Sequence, residues 1–171
     1  MRTLCLLRHC KSAWPSGAPA FARPLPGRGR AAAARMGRYL AQQKMAPDVV
    51  LCSAATRTRE TLDLGSLFWS VPPTIIIEPD LYLAGERTLM AHIKRIDPRH
   101  RIALVIGHNP GMQGLALDLA AGAPSGELDR LATKYPTGGL SMFDVKGDWA
   151  AVAPGTVSLR AFVTQKMLER I

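Results

Sequence analysis

Short, almost wholly apolar runs recur along this chain, and each of the first ones is followed by a helix-forming stretch. Thr3-Leu4-Cys5-Leu6-Leu7, Val49-Val50-Leu51-Cys52, Thr74-Ile75-Ile76-Ile77 and Ile102-Ala103-Leu104-Val105-Ile106 are four such runs. A strand that is apolar without alternation is one buried on both faces, which is the condition of a parallel sheet covered by helices. The intervening segments fit that reading. Arg28 to Gln43 carries Met36, Tyr39 and Leu40 on one helical face, and Ala54 to Phe68, Glu86 to Ile96 and Pro110 to Ala121 are further predicted helices. Ser53 stands where a helix N-cap is expected. Strand–helix alternation of this kind predicts parallel units with helices on both faces.

The last third departs from the pattern. Ala123 to Pro136 reads as a polar connection, and Gly138 to Val145 as a strand. Trp149 to Val152 is a further candidate strand, Val157 to Val163 an edge strand, and the end a short helix. The expected fold is a three-layer α/β/α sandwich with a mostly parallel central sheet and an antiparallel edge. Its 171 residues fit one domain, 1–171.

Bulk properties exclude several classes. The apolar runs are far too short to span a membrane, and the first ends in charged residues rather than a small-residue cleavage site. Cys5, Cys10 and Cys52 form no framework, which predicts reduced thiols and a cytoplasmic protein. With 22 basic and 13 acidic residues the net charge is +9, which favours anionic partners. Nucleic acid is not the expected one, since no nucleic-acid-binding signature is present and only 6% of residues are aromatic.

Ligands of open α/β sheets bind beyond the carboxyl ends of the strands. There the first strand presents Arg8, His9, Lys11 and Ser12, the second leads to Arg57, and the fourth leads to His108. Arg23 lies on the loop after the first strand, and the helix starting near Pro110 offers its free amides. Two imidazoles among arginines, with no partnering carboxylate, suit a phosphoryl group. One imidazole can accept it covalently, and the other can donate to its oxygens while bidentate arginines hold the charge. No His/Cys/Asp/Glu cluster has metal-ligand spacing, so neither metal nor cofactor is expected. His92 and His100 read as solvent-facing, Arg59 and Glu60 as surface charges, and Arg28, Arg30, Arg35 and Arg38 as a solvated helix face. Trp14 and Tyr82 either line the pocket mouth or cover a loop.

Four motifs in series cover essentially the whole chain. They are Leu7-Arg8-His9-x-Lys11-Ser12-x-Trp14, Arg23-Pro24-Leu25 followed by Gly29, Ser53-x-x-x-Arg57-x-x-x-Thr61, and Gly107-His108-Asn109-Pro110-Gly111. In this order they resemble the histidine phosphatase superfamily, with its phosphoglycerate-mutase-like fold. The small size resembles the SixA branch of phosphohistidine phosphatases, which has no inserted lid domain.

The resemblance implies His9 as the phosphoryl-accepting nucleophile and Arg8, Arg57 and His108 as its catalytic partners. It implies Ser12, Arg23 and the backbone amide of Asn109 as further phosphate-binding groups, and a structural role for Thr61. Two departures stand out. Cys10 replaces the usual glycine and is expected at the phosphate mouth, where it is also an alternative nucleophile. The usual acidic residue after the third strand has no clear match, leaving Asp80 or Glu86 as possible general acids. A missing acid favours phosphoramidates over esters, because an alkoxide needs a proton to leave whereas a protonated imidazole leaves readily. The expected activity is hydrolysis of phosphohistidine on a protein partner. Small phosphate esters such as sugar phosphates, or phosphate binding without catalysis, are the alternatives.

Overall fold

The computed structural model describes residues 1–15 and 17–170. Six strands form one sheet: β1 (Arg2–Arg8), β2 (Val49–Ser53), β3 (Thr74–Glu78), β4 (Ile102–Gly107), β5 (Leu140–Val145) and β6 (Val157–Val163). Their order is β3-β2-β4-β1-β5-β6. The pairs β3–β2, β2–β4 and β4–β1 are parallel, while β1–β5 and β5–β6 are antiparallel. The mostly parallel sheet with an antiparallel edge is therefore as the sequence predicts.

The helices are α1 (Gly27–Gln42), α2 (Thr56–Gly65), α3 (Glu86–Lys94), α4 (Gly111–Leu119), α5 (Ser125–Thr133) and α6 (Gln165–Leu168). Alternate residues of the central strands feed two cores, which explains why these strands are apolar throughout. Leu4, Leu6, Ala103 and Val105 pack with Leu89 and Ile93 of α3 and Leu115 of α4 on one face. Cys5, Leu7, Leu104 and Ile106 pack with Met36 and Leu40 of α1, Leu62 of α2 and Leu168 of α6 on the other.

Strands β1 and β4 are neighbours, yet the chain leaves β1 for β2 on one side and leaves β4 towards β5 on the other. A crevice opens at such a switch point, beyond the carboxyl ends of the two strands. Close backbone contacts fix the helices and loops around the sheet. A Cβ on Gly37 of α1 would collide with the carbonyl oxygen of Gly65 in α2, so the two helices cross at contact distance there. A Cβ on Gly111 would collide with the carbonyl oxygen of Ala84, so the loop after β3 lies directly on the start of α4.

Several local expectations are corrected. Ser53 ends β2 and is not an N-cap; the cap position of α2 belongs to Ala55, which makes no side-chain cap bond. The connection from Ala123 to Pro136 contains α5, whose Leu131 is buried beneath otherwise polar faces. Trp149–Ala151 is a 3-10 turn rather than a strand, with the Trp149 indole buried and donating to the carbonyl of His100. His100 is itself buried, 3.6 Å from Asp48, and His92 lies between Glu78 and Asp80, so neither imidazole simply faces solvent. No helix among the described residues is long and apolar enough to cross a membrane.

Candidate active site

The backbone of His9, just past β1, is pinned from both sides. Its amide donates to the carbonyl of Gly107 at 3.1 Å, and its carbonyl accepts from the amide of Gly138 at 2.9 Å. The imidazole is 6% exposed. Its Nδ1 lies 2.8 Å from the carbonyl oxygen of Cys10. A carbonyl only accepts, so Nδ1 carries the proton and Nε2 keeps its lone pair. That lone pair accepts from Nε of Arg57 at 3.3 Å.

Arg57 reaches both histidines. Its second terminal nitrogen donates to Nδ1 of His108 at 3.2 Å, and its first to the carbonyl of Ala20 at 2.9 Å. Since Nδ1 of His108 must accept, Nε2 carries that ring's proton and donates to Oγ of Ser53 at 2.8 Å. The ring centroids of His9 and His108 are 5.3 Å apart.

Electrostatics keep both imidazoles neutral. Burial pushes His9 down from 6.5 to about 4; the Cys10 hydrogen bond opposes this, while Arg57, Arg8 and Arg23 add to it. Burial, then His9 and the same three guanidiniums, push His108 down to about 3. The chemistry of this donor set is that of an anion site. The Nε of Arg8 is buried with no hydrogen-bond partner among the described residues, so one strong donor is left unsatisfied.

The other predicted residues divide. Arg23 is buried at the site, its guanidinium 3.4 Å from the ring centre of Trp14. Ser12 is also buried, without a side-chain hydrogen bond among the described residues. Asn109 uses its side chain structurally, donating to the carbonyl of Tyr135 at 3.1 Å and accepting from the amide of Gln113 at 3.2 Å. Asp80 stands 3.6 Å from His92, and Glu86 packs over Gly114 of α4. Neither carboxylate hydrogen-bonds His9, Arg57 or His108. Glu78, Asp80 and His92 gather their ligand atoms within 4.8 Å of one another, a cluster made only by folding and outside the histidine pair.

Cys10 is not at the phosphate mouth. Its side chain is fully buried with Leu25, Ala32 and Ala33, and burial pushes its thiol up to about 12. Thr61 explains its place in the motif: its hydroxyl accepts from the Cys10 amide at 3.1 Å and donates to the Arg57 carbonyl at 2.7 Å. It thereby ties the segment after the nucleophile candidate to the helix that carries Arg57.

Four contributors escape the sequence reading of individual roles. Ser53 orients His108 from a position that reads as a cap. Tyr135 takes Arg8 (2.9 Å) and Asn109 on its carbonyl, and nothing in its polar surroundings announces this. Glu60 accepts from the Leu25 amide at 3.0 Å and so anchors the Arg23 loop, where a surface charge is expected. Phe21 stacks edge-on against Tyr82 (4.9 Å), which in turn meets His108 edge-on at 5.2 Å, so Tyr82 lines the site.

Fold and site together define an α/β protein with a cationic, two-histidine anion site at the switch point of its parallel strands. The sequence model of the histidine phosphatase superfamily (branch 1) matches residues 4–81. An uncharacterized protein of Mycobacterium tuberculosis is 36% identical over 158 residues, spanning 91% of this chain and 98% of its own. A solved structure from Nakamurella multipartitia, described as a candidate phosphohistidine phosphatase SixA, shares 27% identity at a TM-score of 0.85 over 95% of each chain. A second, so described from Agrobacterium tumefaciens, shares 25% at 0.81 over 95% of this chain and 97% of its own. The chain belongs to the histidine phosphatase superfamily, with the phosphoglycerate-mutase-like fold of its SixA branch.

Proposed function

We propose that this protein hydrolyses phosphohistidine on a protein partner through a covalent phosphohistidine on His9. The observation that carries the reading is the state of that ring. Its Nδ1 proton is committed to the Cys10 carbonyl, its depressed pKa leaves it neutral at physiological pH, and its Nε2 lone pair meets the Arg57 guanidinium, with the His108 ring 5.3 Å away.

In the first step Nε2 of His9 attacks phosphorus, and the phosphorus–nitrogen bond of the substrate breaks. The substrate imidazole leaves with that electron pair and is protonated from solvent. Arg8, Arg57 and Arg23 hold the phosphoryl oxygens, and His108, whose proton affinity the dianion raises, takes a proton from solvent on Nδ1 and donates it in a hydrogen bond to one of them. Water then attacks the phosphoenzyme, releasing inorganic phosphate and restoring His9.

The choice of phosphoramidate over ester rests on the carboxylates. Asp80 stands 3.6 Å from His92 and Glu86 lies over Gly114, and neither hydrogen-bonds the histidine pair. Loss of general acid catalysis costs an ester substrate about 10²–10⁴ in rate. We take residues 1–171 as one domain without a lid insertion, which leaves the mouth open to a protein-borne phosphate. A cytoplasmic setting fits the three free, buried thiols.

Trapping with a phosphohistidine protein labelled on phosphorus tests the mechanism. Wild type is expected to carry acid-labile label, and His9→Ala none. A panel of that protein, p-nitrophenyl phosphate and sugar phosphates tests the substrate. Faster turnover of the sugar phosphates would assign the enzyme to small esters, and binding without label would make it a phosphate-binding module.

A further inference from the structure

Beside the histidine pair, and on the same rim of the sheet, runs a basic cleft that the proposed chemistry does not use. One part encloses about 660 Å³ between the end of α5, the end of β6 and α6, where Arg28, Lys134 and Lys166 line it. An adjoining part of about 230 Å³ reaches Lys11 and Arg35. Arg28, Thr137, Gln165 and Glu169 line both parts, so the two are continuous.

The cleft leads to the site. Thr137 precedes Gly138, whose amide is bonded to the carbonyls of Arg8 and His9, and Lys11 lies two residues after His9. Two of its cations are already matched: Arg35 stands 3.6 Å from Glu169, and Arg130 stands 3.1 Å from Glu127. Lys11, Arg28, Lys134 and Lys166 are exposed and have no carboxylate partner among the described residues. Asp129, the other carboxylate of the lining, leaves the cleft strongly positive. Four like charges around one concave surface repel one another, and an anionic ligand relieves that repulsion.

We propose that this cleft docks an acidic polypeptide segment that flanks the phosphorylated histidine of the substrate protein. The inference rests on the phosphohistidine reading and adds to it the chemistry of the substrate surface. A polypeptide fits better than a nucleic acid. Single-stranded nucleic acids bind through exposed aromatic platforms as well as cations, and the aromatic ring lining this cleft, Phe162, is 3% exposed and packed against Tyr135. Extended carboxylate side chains need only the cations, and the cleft reaches Lys11, two residues after His9.

The test uses the triple variant R28E/K134E/K166E, whose three positions are exposed, with a thermal melt to confirm its fold. Two synthetic peptides are phosphorylated on a single histidine, one flanked by Asp and Glu and the other by Ser and Gly. Wild type is expected to show a kcat/KM about tenfold higher on the acidic peptide, carried by KM and lost at high salt. The variant is expected to lose that preference while turning over p-nitrophenyl phosphate as wild type does. Equal use of the peptides by wild type, or a preference that survives in the variant, overturns the proposal.

If neither peptide is dephosphorylated, the substrate reading fails while the docking surface is still tested. Fluorescence anisotropy of the labelled, unphosphorylated acidic peptide then decides: binding by wild type and not by the variant sustains the cleft, and no binding by wild type overturns it. Tighter binding of an oligothymidylate, abolished in the variant, also overturns it in favour of nucleic acid.

Discussion

Oγ of Ser53 accepts a 2.8 Å hydrogen bond from Nε2 of His108, and this contact decides which nitrogen of that ring faces Arg57. The hydroxyl is fully buried, so its removal leaves a buried N–H without an acceptor. An unsatisfied donor of that kind costs about 1–3 kcal/mol. Ser53→Ala is expected to lower kcat/KM on p-nitrophenyl phosphate by about ten- to a hundredfold, mostly through kcat. Nitrogen NMR of the His108 ring should show mixed tautomers in the variant. Unchanged kinetics would remove Ser53 from this positioning role.

Acid should unfold this protein through its own site. Burial and the surrounding guanidiniums push His9 down to about 4 and His108 down to about 3 in the folded state, from 6.5 for an ordinary imidazole. Between those values the unfolded chain binds more protons than the folded one, so stability rises with pH across the window and is level above it. Urea midpoints should therefore fall as pH drops below about 6.5. His9→Asn should flatten the fall, and vanadate, which compensates the guanidinium charge, should raise the midpoint at neutral pH. A slope identical in wild type and His9→Asn would mean that other groups govern the acid limb.

Trp14 is 77% exposed, yet it lies flat on the Arg23 guanidinium, 3.4 Å from ring centre to cation. Exposed cation–π pairs are worth about 0.5–1 kcal/mol. Trp14→Ala should weaken phosphate and vanadate binding about two- to fivefold, with little change in melting temperature. Isothermal titration measures it, and unaltered affinity would show that Arg23 holds its place without the indole.

Cys10 should be chemically silent. Its thiol is fully buried among Leu25, Ala32 and Ala33 and is pushed up to about 12. Iodoacetamide should leave native activity intact, and Cys10→Ala should retain a near wild-type kcat while losing about 1 kcal/mol of stability. Loss of activity on alkylation of the folded protein would contradict this placement.

The sheet was legible because it obeys local rules. Central strands buried on two faces must be apolar throughout, and β1, β2 and β4 are. Strand β3 shows where the rule misleads. Its isoleucines read as core but lie at an edge, with Ile75, Ile76 and Ile77 each more than 40% exposed. Helix α5 was hidden for the opposite reason, since only Leu131 is buried and its polar remainder resembles a loop. The motifs likewise marked Arg8, His9, Arg57 and His108, because each follows a recognisable strand or opens a helix.

Residue order alone thus settles the alternation of elements, the strand ends on which the cations and imidazoles stand, and the family they belong to. How those groups are charged and aimed is settled in three dimensions. The tautomer of His9 depends on the Cys10 carbonyl, that of His108 on Ser53, and the direction of Arg8 on the carbonyl of Tyr135, 127 residues away. Hydrogen-bond direction and burial are properties of neighbours in space; Cys10 adjoins His9 in the chain, but strand order, not residue spacing, brings Ser53 to His108 and Tyr135 to Arg8.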